Sequence, residues 1–259
     1  MSDVSTSMRN HDQVVTEQFG STAAAYLTST VHAHGADLQD IAAYARQFPQ
    51  AVVLDIGCGG GHASFAMAPH AGKVIAYDLA EEMLSVVAGA ARERGLHNLE
   101  VQQGSADQLP FADASFDLVC TRYSAHHWKN LPQALAEMAR VLKPGGKCIV
   151  IDTAAPDDVL ADTYLQAIEL LRDTSHVRNR SLSDWRVLLT QVGFKLVGDK
   201  SWKLPLQFDS WVARMRTPTE RTLAIRSLWD SAPTEVFAYF QLQDDYSFSI
   251  DSVMIELEK

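Results

Sequence analysis

Two adjacent histidines, His126 and His127, follow one short apolar run of this 259-residue sequence, Phe116–Arg122, and an aspartate, Asp152, ends another, Lys147–Asp152. If the two runs are neighbouring parallel strands, their carboxyl ends open onto one crevice, and a histidine and an aspartate meet above it. A histidine oriented by a carboxylate can take a proton from a hydroxyl as it attacks. The sequence therefore makes His126 a candidate base, Asp152 its orienting partner and His127 the alternative base. The His126-His127-Trp128 run reads equally as a structural loop.

A second constellation is Leu54-Asp55-Ile56-Gly57-Cys58-Gly59-Gly60-Gly61, which follows an apolar run and opens a helical one. Glycines at such a turn let the backbone approach a ligand with no Cβ in the way. The spacing is Asp-x-Gly-x-Gly-x-Gly. It is not the dinucleotide fingerprint, because His62 occupies the position of the third glycine, and no Gly-Lys-Ser/Thr follows to make a phosphate loop. Asp78 ends the next apolar run, about 20 residues on, where a carboxylate can accept both ribose hydroxyls of an adenosine-type ligand. Asp78 also suits the N-cap of the following helix, and the two roles are compatible. After the third run, Asp107 can accept from an adenine amino group, framed by Ala106 and Gln108. Neither Cys-x-x-Cys nor His-Glu-x-x-His occurs, and adjacent histidines do not easily face one ion, so no metal site is expected.

These residues need a scaffold that brings strand ends together. The apolar runs 51–57, 73–79, 99–104, 116–122 and 147–152 read as strands, most of them apolar enough to be covered on both faces. Helical patterns separate them. Glu81–Arg94 ends at Gly95, and 131–142 sets Leu131, Leu135, Met138 and Leu142 on one face before Lys143-Pro144-Gly145-Gly146. The alternation predicts an α/β fold with right-handed crossovers. Residues 12–48 read as a helical lead. Beyond Pro156, helices are expected over 157–172, 183–192 and 208–229, and strands over 194–203 and 247–257 that pair as the last two of the sheet.

Residues 53–146 resemble the class I S-adenosylmethionine-dependent methyltransferases, closest to the ubiquinone/menaquinone-biosynthesis-like branch. The likeness is carried by Val53–Gly61, Asp78–Leu84, Gly104–Phe111, Ser115–Val119 and Arg140–Gly146, in order and at family-like spacing. It implies a Rossmann-like, doubly wound, mostly parallel seven-stranded sheet with an antiparallel last strand. The cofactor implied is S-adenosyl-L-methionine, leaving as S-adenosyl-L-homocysteine. Gly57 and Gly59 would pack on its methionine part, Asp78 would hold the ribose, Met83 would pack on the adenine and Asp107 would bind its amino group. Asp55, Leu79, Ala106, Gln108 and Arg122 complete the expected cofactor set. Phe19–Tyr26 resembles the family's N-terminal lid, with Tyr26 facing the cofactor.

The expected organisation is a helical lid over 1–50 and a methyltransferase domain over 51–259, with a core at 51–155 and a cap from about 156–193 and 204–245. Transfer from a sulfonium is an in-line displacement in which positioning supplies much of the rate. The alternative is a cofactor-binding regulatory protein without turnover. Arg172, Asp173, His176 and Arg178 cluster in the cap, where an arginine pair could hold an anionic or carbonyl group or simply face solvent. Trp185, Trp202, Trp211 and Trp229 fall in the last third and suit either an aromatic-lined cavity or ordinary packing. The net charge of -10 and the lack of an Asn/Asp-Pro-Pro-Tyr motif argue against a nucleic-acid acceptor. A small molecule, aromatic or lipophilic, is expected instead. Three cysteines and no apolar stretch of membrane-spanning length point to a cytoplasmic protein.

Overall fold

The computed structural model describes residues 9–20 and 35–259. Two helices come first, α1 (His11–Gly20) and α2 (Ala36–Ala45). Strands β1 (Val52–Ile56), β2 (Lys73–Asp78), β3 (Leu99–Gln103), β4 (Phe116–Arg122) and β5 (Leu142–Ala154) then alternate with α3 (His62–Met67), α4 (Glu81–Glu93) and α5 (Leu131–Val141). The second half adds α6 (Val159–Arg172), α7 (Leu182–Gln191), β6 (Lys195–Leu206), α8 (Phe208–Arg214), α9 (Thr219–Asp230), α10 (Thr234–Phe240) and β7 (Phe248–Glu258).

The seven strands form one sheet in the order β3-β2-β1-β4-β5-β7-β6. The first five in sequence run parallel. The last, β7, is antiparallel to both of its neighbours, β5 and β6. This is the Rossmann-like doubly wound arrangement expected from the sequence. The strand order reverses between β1 and β4, which opens a crevice at their carboxyl ends.

Alternation along the strands divides the core into two faces. Leu54, Ile56, Val119 and Val150 pack with Leu135 and Met138 of α5 and Trp185 of α7. Val53, Leu118, Cys120 and Ile149 point the other way, against Ile41 of α2 and Met67 of α3. The three cysteines are unpaired and buried, and burial pushes each thiol up in pKa. They behave as small core side chains. Leu142, expected to close the apolar face of α5, instead starts β5, where it pairs with Phe116.

A separate core lies under the C-terminal helices, where Leu165 and Ile168 of α6 meet Phe208, Trp211, Trp229 and Phe248. Here the structure departs from the single helix expected over 208–229. The helix stops at Arg214, Arg216 takes a left-handed conformation (φ 51°), and α9 starts after Pro218. Proline disfavours helical backbone at the residue before it and has no N–H to carry the earlier helix through. The same logic starts α10 after Pro233, a helix absent from the sequence reading. No helix among the described residues is long and apolar enough to cross a membrane.

Candidate active site

A cavity of about 580 Å³ opens at the carboxyl ends of β1, β2 and β4. The glycine loop, Asp78, Asp107, His126 and His127 line it, and so do Phe19 of α1 and Trp211 of α8.

The glycine loop is shaped by the strand beside it. The Gly57 and Cys58 amides both donate to the Tyr77 carbonyl, at 2.8 and 3.1 Å. Gly57 has φ 67°, and a Cβ built there would lie 1.9 Å from Ser124 Oγ. Gly59 has φ 48°, but a Cβ there would meet no heavy atom within 4 Å. The first glycine is thus required by the protein's own packing, and the second leaves a cradle open on the cavity. Gly57→Ala is expected to cost roughly 1–2 kcal/mol from the left-handed backbone alone, plus displacement of Ser124. Thermal unfolding reads the loss, and an unchanged midpoint would contradict it.

Two carboxylates flank this loop. Asp78 Oδ2 accepts from the Gly59 amide and Oδ1 from the Ala80 amide, each at 2.9 Å. Burial raises its pKa, and the backbone donors act against that rise. One carboxylate therefore fixes the glycine loop and starts α4, with lone pairs to spare on both oxygens. Asp55 is 1% exposed. Its Oδ2 accepts from Ser64 Oγ at 2.6 Å, and its Oδ1 is buried with no hydrogen-bond partner. Burial pushes its carboxyl up to about 6, although Ser64 and Arg122 pull the other way. An orphaned carboxylate oxygen at a cavity wall suits a cationic ligand group.

The loop after β3 is held from behind by Arg140. Its guanidinium donates to the Leu109 and Phe111 carbonyls at 2.9 and 2.7 Å and to Glu137 at 2.7 Å. Glu137 in turn accepts from the Leu109 amide. This clamp sets Ala106 and Asp107 on the cavity wall, where Asp107 accepts from Ser105 Oγ at 2.6 Å. Leu79 and Met83 also line the cavity. Gln108 does not: its carbonyl accepts from the Tyr77 hydroxyl at 3.5 Å, behind the wall. Arg122 lies on the wall but is tied to Asp37 at 2.5 Å, both side chains nearly buried, which pins the start of α2 to the end of β4. Tyr26 lies outside the described residues.

The structure brings His126 and Asp152 together. His126 Nδ1 lies 2.5 Å from Asp152 Oδ1, and the His126 amide donates to Oδ2 at 3.0 Å. The carboxylate accepts, so Nδ1 carries a proton, and in the neutral ring Nε2 keeps its lone pair. Burial alone would lower the His126 pKa. The Asp152 carboxylate, with Glu169 and Asp173 farther out, more than offsets this and leaves it above the ordinary histidine value. His127 behaves oppositely: burial and then the neighbouring His126 lower it to about 4. Its Nδ1 faces the Ser175 carbonyl at 3.1 Å and Ser175 Oγ at 3.2 Å, while Ser175 Oγ donates to Asp173 at 2.6 Å. Phe19 meets the His127 ring edge-on at 5.0 Å and packs near Met83, touching both halves of the site.

The cap cluster divides differently from the sequence reading. Arg178 is held by Asp162 at 2.5 Å, so it does not pair with Arg172 around a ligand. His176 is buried against Gln166, its pKa pulled down by that burial. Arg172 reaches the cavity, donating to the Trp211 carbonyl at 3.0 Å and to Glu169 at 3.3 Å. Among the late tryptophans, Trp202 and Trp211 line the cavity, Trp211 as the edge of the C-terminal core, whereas Trp185 and Trp229 belong to the core alone. Glu169 and Ser175 were not anticipated. The Asp173-x-Ser175 spacing, which favours a local side-chain turn, is the signal that marks Ser175.

The relatives agree with this architecture. Residues 54–150 match the model of a methyltransferase domain. An uncharacterized methyltransferase of Bacillus subtilis, YcgJ, is 36% identical over 243 residues, which cover 92% of this chain and 96% of YcgJ. Its crystal structure superposes with a TM-score of 0.82, covering 87% of this chain and 99% of that one. An uncharacterized Escherichia coli protein, YafE, is 47% identical over 203 residues, covering 78% of this chain and 98% of YafE. A demethylmenaquinone methyltransferase of Listeria welshimeri is 42% identical over 108 residues, covering 40% of this chain and 46% of its own length. The chain belongs to the class I S-adenosylmethionine-dependent methyltransferases.

Proposed function

We propose that this methyltransferase acts on a small molecule bearing an ionisable hydroxyl, with His126 as general base and Asp152 orienting it. The single observation that carries this reading is the 2.5 Å contact between His126 Nδ1 and Asp152, on a wall shared with the glycine loop. S-adenosylmethionine would supply an electrophilic sulfonium methyl. The residues present fit it. Asp55 Oδ1 has an unmet need that an ammonium group satisfies, Gly59 leaves an open cradle, and Asp78 has lone pairs for ribose hydroxyls. Asp107 and Met83 would hold the adenine end.

The chain's own task is then to position the acceptor, exclude water and take one proton. The acceptor half of the cavity is walled by Leu204, Leu206, Trp211, Met215 and Ile250, which suits an aromatic or lipophilic body. In this reading α1 is a lid, tied to the body by Asp12–Lys129 at 2.8 Å and by His11 Nε2 to the Ser175 carbonyl at 3.1 Å. A proton taken at His126 Nε2 is stabilised by the Asp152 carboxylate across the ring.

The test is methyl transfer from labelled S-adenosylmethionine to a panel of phenols, enols, carboxylic acids and amines. Labelled product is expected from a hydroxyl acceptor. Product from amines alone would overturn the reading. S-Adenosylhomocysteine should bind by calorimetry, more weakly as pH falls through about 6, because protonation of Asp55 removes the charge that pairs with the ammonium.

A further inference from the structure

A second cleft, of about 230 Å³, adjoins the cavity, and Arg172 and Met215 belong to the walls of both. Its other walls are Thr174, Arg216, Pro218, Arg221 and Gln18 of the lid helix. Among the described residues that line this cleft, three carry a guanidinium and none a carboxylate.

The donors are placed by the fold rather than by one another. Arg172 is the last residue of α6, and its ring-facing guanidinium lies 4.8 Å over Trp211. Two of its nitrogens are used, Nε on the Trp211 carbonyl and Nη1 on Glu169, while Nη2 has no partner among the described residues. Arg221 sits in the first turn of α9, brought beside Arg172 by the break at Met215–Pro218. Its guanidinium has no ion-pair or hydrogen-bond partner among the described residues, and neither has the Thr174 hydroxyl. Guanidinium forks and a hydroxyl with unused donors around one cleft are the chemistry that recognises a carboxylate or phosphate.

We propose that this cleft is an oxyanion subsite for the methyl acceptor. The acceptor is an amphipathic acid: its carboxylate or phosphate sits between Arg172 and Arg221, and its apolar body lies against Trp211 and Met215 in the cavity. The continuity of the walls through Arg172 and Met215 carries the link between the two compartments. The inference rests on the cavity being the acceptor's, as proposed above, and adds to it the charge of the acceptor.

The test uses the full chain saturated with S-adenosylhomocysteine. Binding of naphthyl phosphate, naphthoate and naphthol is measured by calorimetry for the wild type and for Arg221→Gln, a partly exposed position on a helix surface. At least one of the two anions is expected to bind about tenfold more tightly than naphthol, and Arg221→Gln should remove that preference while leaving naphthol unaffected. Which anion prevails identifies the head group. Equal affinity for the three probes, no binding by either anion, or a preference that survives Arg221→Gln would overturn the subsite. Failure of S-adenosylhomocysteine to bind would instead strike the cofactor assignment, so the two readings fail separately.

Discussion

His126→Ala is expected to lower kcat by about 10²–10⁴-fold with S-adenosylhomocysteine affinity unchanged, the range seen when a positioned proton acceptor is lost. The backbone of His126 does its own structural work. Its carbonyl accepts from the Val177 and Arg178 amides and its amide donates to Asp152, and alanine keeps all three. The variant therefore removes the ring and little else. The pH profile separates the two histidines. A base works when unprotonated, so the rate should rise with pH through the pKa of the group responsible. For His126 that limb lies above the ordinary value of about 6.5, because Asp152 stabilises the charged ring against the cost of burial. For His127 it would lie near 4. A wild-type limb above 6.5 that vanishes in His126→Ala supports His126. A limb near 4 that vanishes in His127→Ala would transfer the role to His127.

The sequence discloses the parts of this site that are local in the chain. The glycine loop, the strand-end Asp78 and the turn at Asp107 each depend on a few consecutive residues whose backbone needs are written in their types. The meeting of His126 and Asp152 is also legible, because it follows from two strands being neighbours and parallel; the β-α alternation makes them parallel, and the sheet order places them side by side. What is not legible is pairwise and long-range. Arg172 and Arg178 are close in sequence, yet Arg178 lies beyond the end of α6 and folds back onto Asp162 of that helix, while Arg172, at the helix end, shares a cleft with Arg221 of a different helix. Ser175 positions His127 from 48 residues away. Arg122 ends a strand at the cavity, but Asp37, from the N-terminal lead, occupies its guanidinium. In each case charge and spacing are visible in the sequence, and the partner is chosen by tertiary packing.

Asp78→Ala should weaken S-adenosylhomocysteine binding by about 100-fold or more, since two hydrogen bonds from ligand hydroxyls to a carboxylate are worth about 1.5–3 kcal/mol each. The carboxylate has a second task. It accepts from the Gly59 and Ala80 amides, so its removal also frees the glycine loop at the residue that leaves the cradle open. Loop release and ribose loss both lower affinity, and a ligand-side deletion tells them apart. An S-adenosylhomocysteine analogue lacking both ribose hydroxyls should bind the wild type poorly and Asp78→Ala hardly worse than the parent ligand does. The double-mutant cycle then yields a coupling energy close to the full ribose contribution. If Asp78 acts only by holding the loop, the hydroxyl deletion costs the same in both proteins and the coupling is near zero. Near-wild-type kcat at saturating cofactor would complete the separation, because His126, the proposed proton acceptor, stands on β4's side of the crevice and owes nothing to Asp78 for its orientation.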